Sequence, residues 1–97
     1  MNKINILSYT IEETARVAAD YNFYWNIGNT KSGIEITFTT SNRCWSKTVT
    51  IESEYVDGLS EKSWQALITV ALEKTAESVD DAEADYFAKK MCQKEKD

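Results

Sequence analysis

Carboxylates are the most numerous ionisable residues of this chain. Its 97 residues include sixteen Asp and Glu, eleven Lys and Arg, and no histidine. The commonest general base, proton shuttle and metal ligand is therefore missing, and Ser–His or Cys–His nucleophile pairs cannot form. Gly28, Gly33 and Gly58 are the only glycines, too scattered for a phosphate-cradling loop. Each reads as a turn. Asp81, Glu83 and Asp85 have the one-three-five spacing of a calcium loop, which would also need glycine at 86 and glutamate at 92. Those positions hold Tyr86 and Cys92. Cys44 and Cys92, the only cysteines, make neither a CxxC pair nor a disulfide framework. With no catalytic, cofactor or metal motif, the chain is expected not to be an enzyme.

Carboxylates can also act by presenting charge. Glu73, Glu77, Asp81 and Asp85 lie four residues apart, so on one helix neighbours would stand roughly 6 Å apart, each like-charge pair costing a few tenths of a kcal/mol. The acidity is regional. Residues 1–51 carry five bases and four acids, whereas residues 52–85 carry ten acids against Lys62 and Lys74. The tail from 86 onward is basic again through Lys89, Lys90, Lys94 and Lys96, against Glu95 and Asp97. The candidate partner-binding residues are Glu73, Glu77, Asp80, Asp81, Glu83 and Asp85, with Glu52, Glu54 and Asp57 on the approach. Carboxylates one helical turn apart approximate the phosphate spacing of a nucleic-acid strand. Such a surface could occupy the basic channel of a nucleic-acid-handling protein or nuclease and associate rapidly and salt-sensitively. The same residues also fit a plainer role: Asp80, Asp81 and Glu83 in the first turn of a helix, where its dipole favours carboxylates, and Glu73 and Glu77 on a solvated face.

Several elements must position these groups. Thr10 and Glu13 have capping-box spacing and predict the start of a first helix, with Ile11, Ala15, Ala18 and Ala19 as its apolar stripe. Residues 3–7 alternate and read either as a short edge strand or as a leader. Phe23, Trp25 and Ile27, then Ile34, Ile36 and Phe38, then Trp45, Val49 and Ile51 alternate with polar residues. Short Gly/Asn/Ser turns separate these runs, which predicts three antiparallel strands with one apolar and one threonine-rich face. Lys47 falls on the apolar face, so a bulge or an edge position is expected there. Phe23, Trp25 and Trp64 are expected core anchors. Tyr24, Arg43 and Trp45 read either as an exposed aromatic and basic spot, or as Trp45 in the core and Arg43 in a turn. Ser60 caps a further helix whose stripe is Trp64, Leu67, Ile68, Ala71, Leu72, Ala76 and Val79. Beyond it, Asp80 with Glu83 predicts a break and a third helix with Ala84, Phe87, Ala88 and Met91 inward. The alternative is one helix continuing through Val79, Ala82 and Tyr86. The fold class is α+β: a three-stranded antiparallel sheet with helices packed on one face, in the order α-β-β-β-α(-α).

A chain of this length, 42% apolar with three tryptophans, is expected to form one domain over residues 1–97. The net charge of −5 argues against direct binding to nucleic acid or anionic lipid. No stretch approaches the ~20 apolar residues of a membrane span, and the opening residues lack a secretion signal. Cytoplasmic location is the expectation.

The element order resembles that of double-stranded-RNA-binding domains. Those place lysines where their last helix begins, and here that helix begins Ser60-Glu61-Lys62-Ser63, just after Glu52, Glu54 and Asp57. The sign is wrong. Composition and layout together resemble instead the small, acidic inhibitors encoded by bacteriophages, the anti-CRISPR and anti-restriction proteins. Several of these are αβ domains that block a nuclease's DNA-binding surface. The resemblance spans the whole chain through size, charge sign, lack of catalytic residues and element order, and carries no residue-by-residue motif. It implies a non-enzymatic, nucleic-acid-mimicking inhibitor acting in the host cytoplasm, as a monomer or homodimer. Toxin–immunity inhibitors belong to the same physical class. The alternative is a structural or adaptor domain that self-associates through the threonine-rich sheet face or an edge strand.

Overall fold

A computed structural model describes residues Lys3–Glu95, with side chains from Asn5 to Met91. The tail charges Lys96 and Asp97, and the side chains of Cys92 and Lys94, lie outside the described residues. The elements are α1 (Lys3–Tyr21), β1 (Tyr24–Asn29), β2 (Gly33–Thr39), β3 (Ser46–Glu52), the single-turn α2 (Ser53–Val56) and α3 (Glu61–Glu95). The strands form one antiparallel sheet in the order β1-β2-β3. Both long helices pack on the same face of it, α1 over β1 and β2 and α3 over β2 and β3. The α+β fold read from the sequence is the fold observed.

The sheet face follows from the period-two alternation. Ile34, Ile36 and Phe38 of β2 stand opposite Ile51, Val49 and Lys47 of β3 on the helix-facing side. The three β2 side chains and Ile51 are buried with Ile6, Val17 and Ala18 of α1 and Trp64, Ile68, Leu72, Ala76 and Val79 of α3. On the outer face the Thr37 and Thr48 hydroxyls are 2.7 Å apart, a cross-strand hydrogen bond. Lys47 sits at the edge position allowed for it, without a bulge, since the β2–β3 register is unbroken. Its Nζ leaves the apolar layer by bonding Ser78 Oγ on α3. Gly33 is required where β2 begins: a Cβ there would collide with the backbone of Ile51 and Glu52.

The first helix starts earlier than Thr10. Thr10 is fully buried inside α1, its hydroxyl donating to the Ile6 carbonyl at 2.7 Å, the back-bond that lets threonine sit within a helix. It is not a cap, and residues 3–7 are neither strand nor leader. The buried stripe is Ile6, Thr10, Thr14, Val17 and Ala18. Of the expected stripe, Ile11 is 40% exposed, Ala19 is exposed and Ala15 is half-buried, leaving only Ala18 inward. α1 ends in a Schellman motif: Asn22 is left-handed (φ 58), Phe23 N–H reaches Ala18 O at 2.9 Å, and Asn22 N–H reaches Ala19 O at 3.3 Å.

The expected break at Asp80 does not occur. Ser60 caps α3, with Ser63 N–H donating to its Oγ at 3.3 Å, and the helix then runs 35 residues without interruption. No Gly or Pro follows Gly58, and the buried Val79, the half-buried Ala82 and Tyr86 against Trp45 carry the helix onward along the domain, so nothing ends it. Consequently Ala84, Phe87, Ala88 and Met91 are exposed, not inward. Trp64 is a core anchor, but Phe23 is only half-buried and Trp25, on the edge strand β1, is 41% exposed.

Candidate acidic interface

The α1–α3 contact determines which carboxylates come together. The helices run side by side in the same direction: Tyr9 meets Trp64 edge to face at 5.5 Å, Arg16 bonds Glu73, and Tyr21 lies by Glu77. At the centre, Glu13 Oε1 lies 3.0 Å from Tyr9 OH and 3.1 Å from Thr69 Oγ1, with the two hydroxyls 2.6 Å apart. Each hydroxyl has one proton, so one donates to the carboxylate while the other donates to it or to its neighbour. Burial raises the Glu13 carboxyl pKa, but hydrogen bonds from Arg16, Tyr9 and Thr69 outweigh it and hold the group below its ordinary value.

Arg16 is the one base of this surface to form ion pairs among the described residues. Its Nε is 2.6 Å from Glu13 Oε2, Nη1 is 3.4 Å from Asp20 Oδ2 and Nη2 is 3.0 Å from Glu73 Oε1. The carboxylates raise its pKa further, the Glu13 hydrogen bond most strongly. One guanidinium thus faces three carboxylates, and Glu77 shares the same shallow depression between the helices. Asp20 and Tyr21 close α1, whose last turn has no basic residue, so the negative end of its dipole adds to the carboxylates there. Tyr21 senses the combined field. Its phenol is raised first by burial and then by the charges of Glu77, Asp80, Asp81 and Glu73.

The four-residue row is a spiral rather than a straight edge. Each step of four residues overshoots a full turn by about 40°, placing Glu73 and Asp85 about 120° apart around the helix. Asp80, seven residues after Glu73, holds the line better. The structure therefore brings together Glu73, Glu77, Asp80 and Asp81, and adds Asp20 from α1. Asp85 has turned aside and pairs with Lys89 at 3.2 Å. Glu83 is half-buried and, two residues from Asp81, does not share its face. Glu52, Glu54 and Asp57 do not join the cluster. Glu54 lies in α2 and Glu52 and Asp57 flank it, with Asp57 beside Glu61 at the start of α3, roughly 18 Å along the helix from Glu73. No group of three or more carboxylate or thiol side chains converges as a metal site among the described residues.

The sequence did not join Asp20 and Arg16 to the acidic surface. Their spacing of four was visible, but its meaning depended on where α1 docks. The Tyr24–Arg43–Trp45 spot is split. Arg43, left-handed at φ 63, lies over Tyr24 at 4.9 Å, whereas Trp45 packs at a tilt against Tyr86 and Phe87 of α3, with ring centroids 5.2 and 6.0 Å away. Among the described residues no helix is long and apolar enough to cross a membrane. Compared with protein-family models, curated proteins and solved structures, the chain matches none.

Proposed function

We propose that this protein is a non-enzymatic acidic inhibitor, a decoy that binds the nucleic-acid channel of a basic partner such as a nuclease, of the anti-CRISPR, anti-restriction or immunity type. The observation that carries the reading is the cluster of Asp20, Glu73, Glu77, Asp80 and Asp81 on adjacent turns of two helices, with Arg16 as its single paired base among the described residues. Glu13 and Arg16 bond across the two helices, to Thr69 and Glu73, which fixes Glu73 and Asp20 beside one another. Glu52, Glu54 and Asp57 form a second, separate negative area that extends the field without sharing the contact.

The test is affinity capture from bacterial lysate with the wild type and with a Glu73→Lys/Glu77→Lys/Asp80→Lys/Asp81→Lys variant, each at low and high salt. Nucleic-acid-handling proteins should be retained by the wild type at low salt, released by salt, and ignored by the variant. Identical retention by the two proteins would remove the reading.

A further inference from the structure

The distal half of α3 outruns the domain. The helix is about 52 Å long, 35 residues at ~1.5 Å each, whereas a seven-residue strand spans about 23 Å. The molecule measures 59 × 22 × 20 Å. On this overhang Tyr86 and Phe87 touch Trp45, yet Tyr86, Phe87 and Met91 remain 47%, 46% and 65% exposed. Ala84, Phe87, Ala88 and Met91 recur at i, i+3, i+4 and i+7, the spacing of a buried helical stripe. Here, among the described residues, Trp45 reaches only Phe87, and the stripe stays largely uncovered.

Charge says what would. Along the overhang Asp80, Asp81, Glu83 and Asp85 precede Phe87, and Lys89 and Lys90 follow it. The segment is therefore complementary to itself in one orientation only. Two such helices laid antiparallel set acid beside base at both ends, whereas a parallel pair sets acid on acid. The small Ala84 and Ala88 side chains border a shallow depression on the same helix with Asp81 and Asp85, which leaves room for a large side chain from an opposing helix.

We propose that the α3 overhang is a homodimer interface, in which a second copy lies antiparallel about a twofold axis near Phe87. The stripe of each copy covers the stripe of the other. The Asp85–Lys89 bridge, 3.2 Å within one helix, is replaced or joined by bridges between copies. Asp20, Glu73 and Glu77 stay outside the overlap, whereas Asp80 and Asp81 belong to both surfaces, so Phe87→Asp, which leaves every carboxylate in place, separates the dimer from the inhibitor reading.

Sedimentation equilibrium on the full chain tests this. The wild type should be a dimer and Phe87→Asp a monomer with an unchanged circular-dichroism spectrum. Asp81→Lys/Asp85→Lys and Lys89→Glu/Lys90→Glu should each self-associate at least about tenfold more weakly. Mixed in equal amounts, those two variants should pair with each other and recover the dimer. A monomeric wild type, a dimer that survives Phe87→Asp, or charge variants that stay apart on mixing would each overturn the proposal. So would a dimer that ignores all these changes but dissociates with Thr48→Lys on the outer sheet face.

Discussion

Replacing Glu13 by glutamine tests how α1 is fastened to α3, and hence how the acidic face is assembled. The wild-type carboxylate is only 18% exposed and accepts from Arg16 and from the Tyr9–Thr69 hydroxyl pair. Hydrogen bonds to a charged group contribute about 1.5–3 kcal/mol and neutral ones about 0.5–1.5. Glutamine keeps a neutral acceptor for the hydroxyls, so the loss through those contacts should be about 1 kcal/mol at pH 7. For a domain of this size that lowers the melting temperature by roughly 4–8 °C. The loss should depend on pH. The folded carboxyl lies below its ordinary value of 4.5, so its stabilisation is complete above that value and disappears as pH falls through the folded one. Urea denaturation of both proteins across the acid range reads this directly. The gap should be full at neutral pH and close in strong acid. Equal stabilities at pH 7, or a gap that persists undiminished in strong acid, would refute the reasoning.

Three further substitutions probe the frame. Leu72→Ala removes a fully buried side chain at the α3–sheet contact and should cost about 2–5 kcal/mol in urea denaturation. Thr14→Val should be neutral or stabilising by up to about 1 kcal/mol in the same assay, because the buried Thr14 hydroxyl has no hydrogen-bond partner among the described residues. Gly33→Ala sets a methyl against the backbone of Ile51 and Glu52. Backbone cannot rotate away as a side chain can, so the β2–β3 register should loosen and stability fall by more than about 1 kcal/mol, with faster amide exchange along β3.

The sheet was legible because alternation over Ile34–Phe38 and Val49–Ile51 has a single period and the turn residues between runs are unambiguous. Lys47, the exception to the pattern, pointed to a bulge or an edge, and the edge is what forms. The helix ends were less legible, for physical reasons. Thr10 and Glu13 match a capping box, yet a threonine that bonds back to the Ile6 carbonyl behaves as an apolar residue in the core. The buried stripe becomes visible only if Thr10 and Thr14 are counted as inward. Asp80 and Glu83 likewise match a cap, but a cap acts only where the helix must begin, and with Val79 buried, Ala82 half-buried and no Gly or Pro beyond Gly58 the chain has no reason to stop. The candidate site was half readable. Glu73, Glu77, Asp80 and Asp81 could be placed on one helix from spacing alone. Asp20 and Arg16 could not be added, because the expected stripe of Ile11, Ala15 and Ala19 turned the wrong face of α1 inward and its docking direction was not encoded in its own pattern. Nor could the separation of Glu52, Glu54 and Asp57, which follows from the length of α3.

The central claim is that the carboxylates clustered across α1 and α3 form the contact surface for a basic partner. The most direct measurement is the affinity of the captured protein for the wild type and for the Glu73→Lys/Glu77→Lys/Asp80→Lys/Asp81→Lys variant as ionic strength is raised. The account predicts tight wild-type binding that weakens steeply with salt and a variant that folds but does not bind. Wild-type affinity that is flat across the salt series, or a variant that binds as tightly, would contradict it.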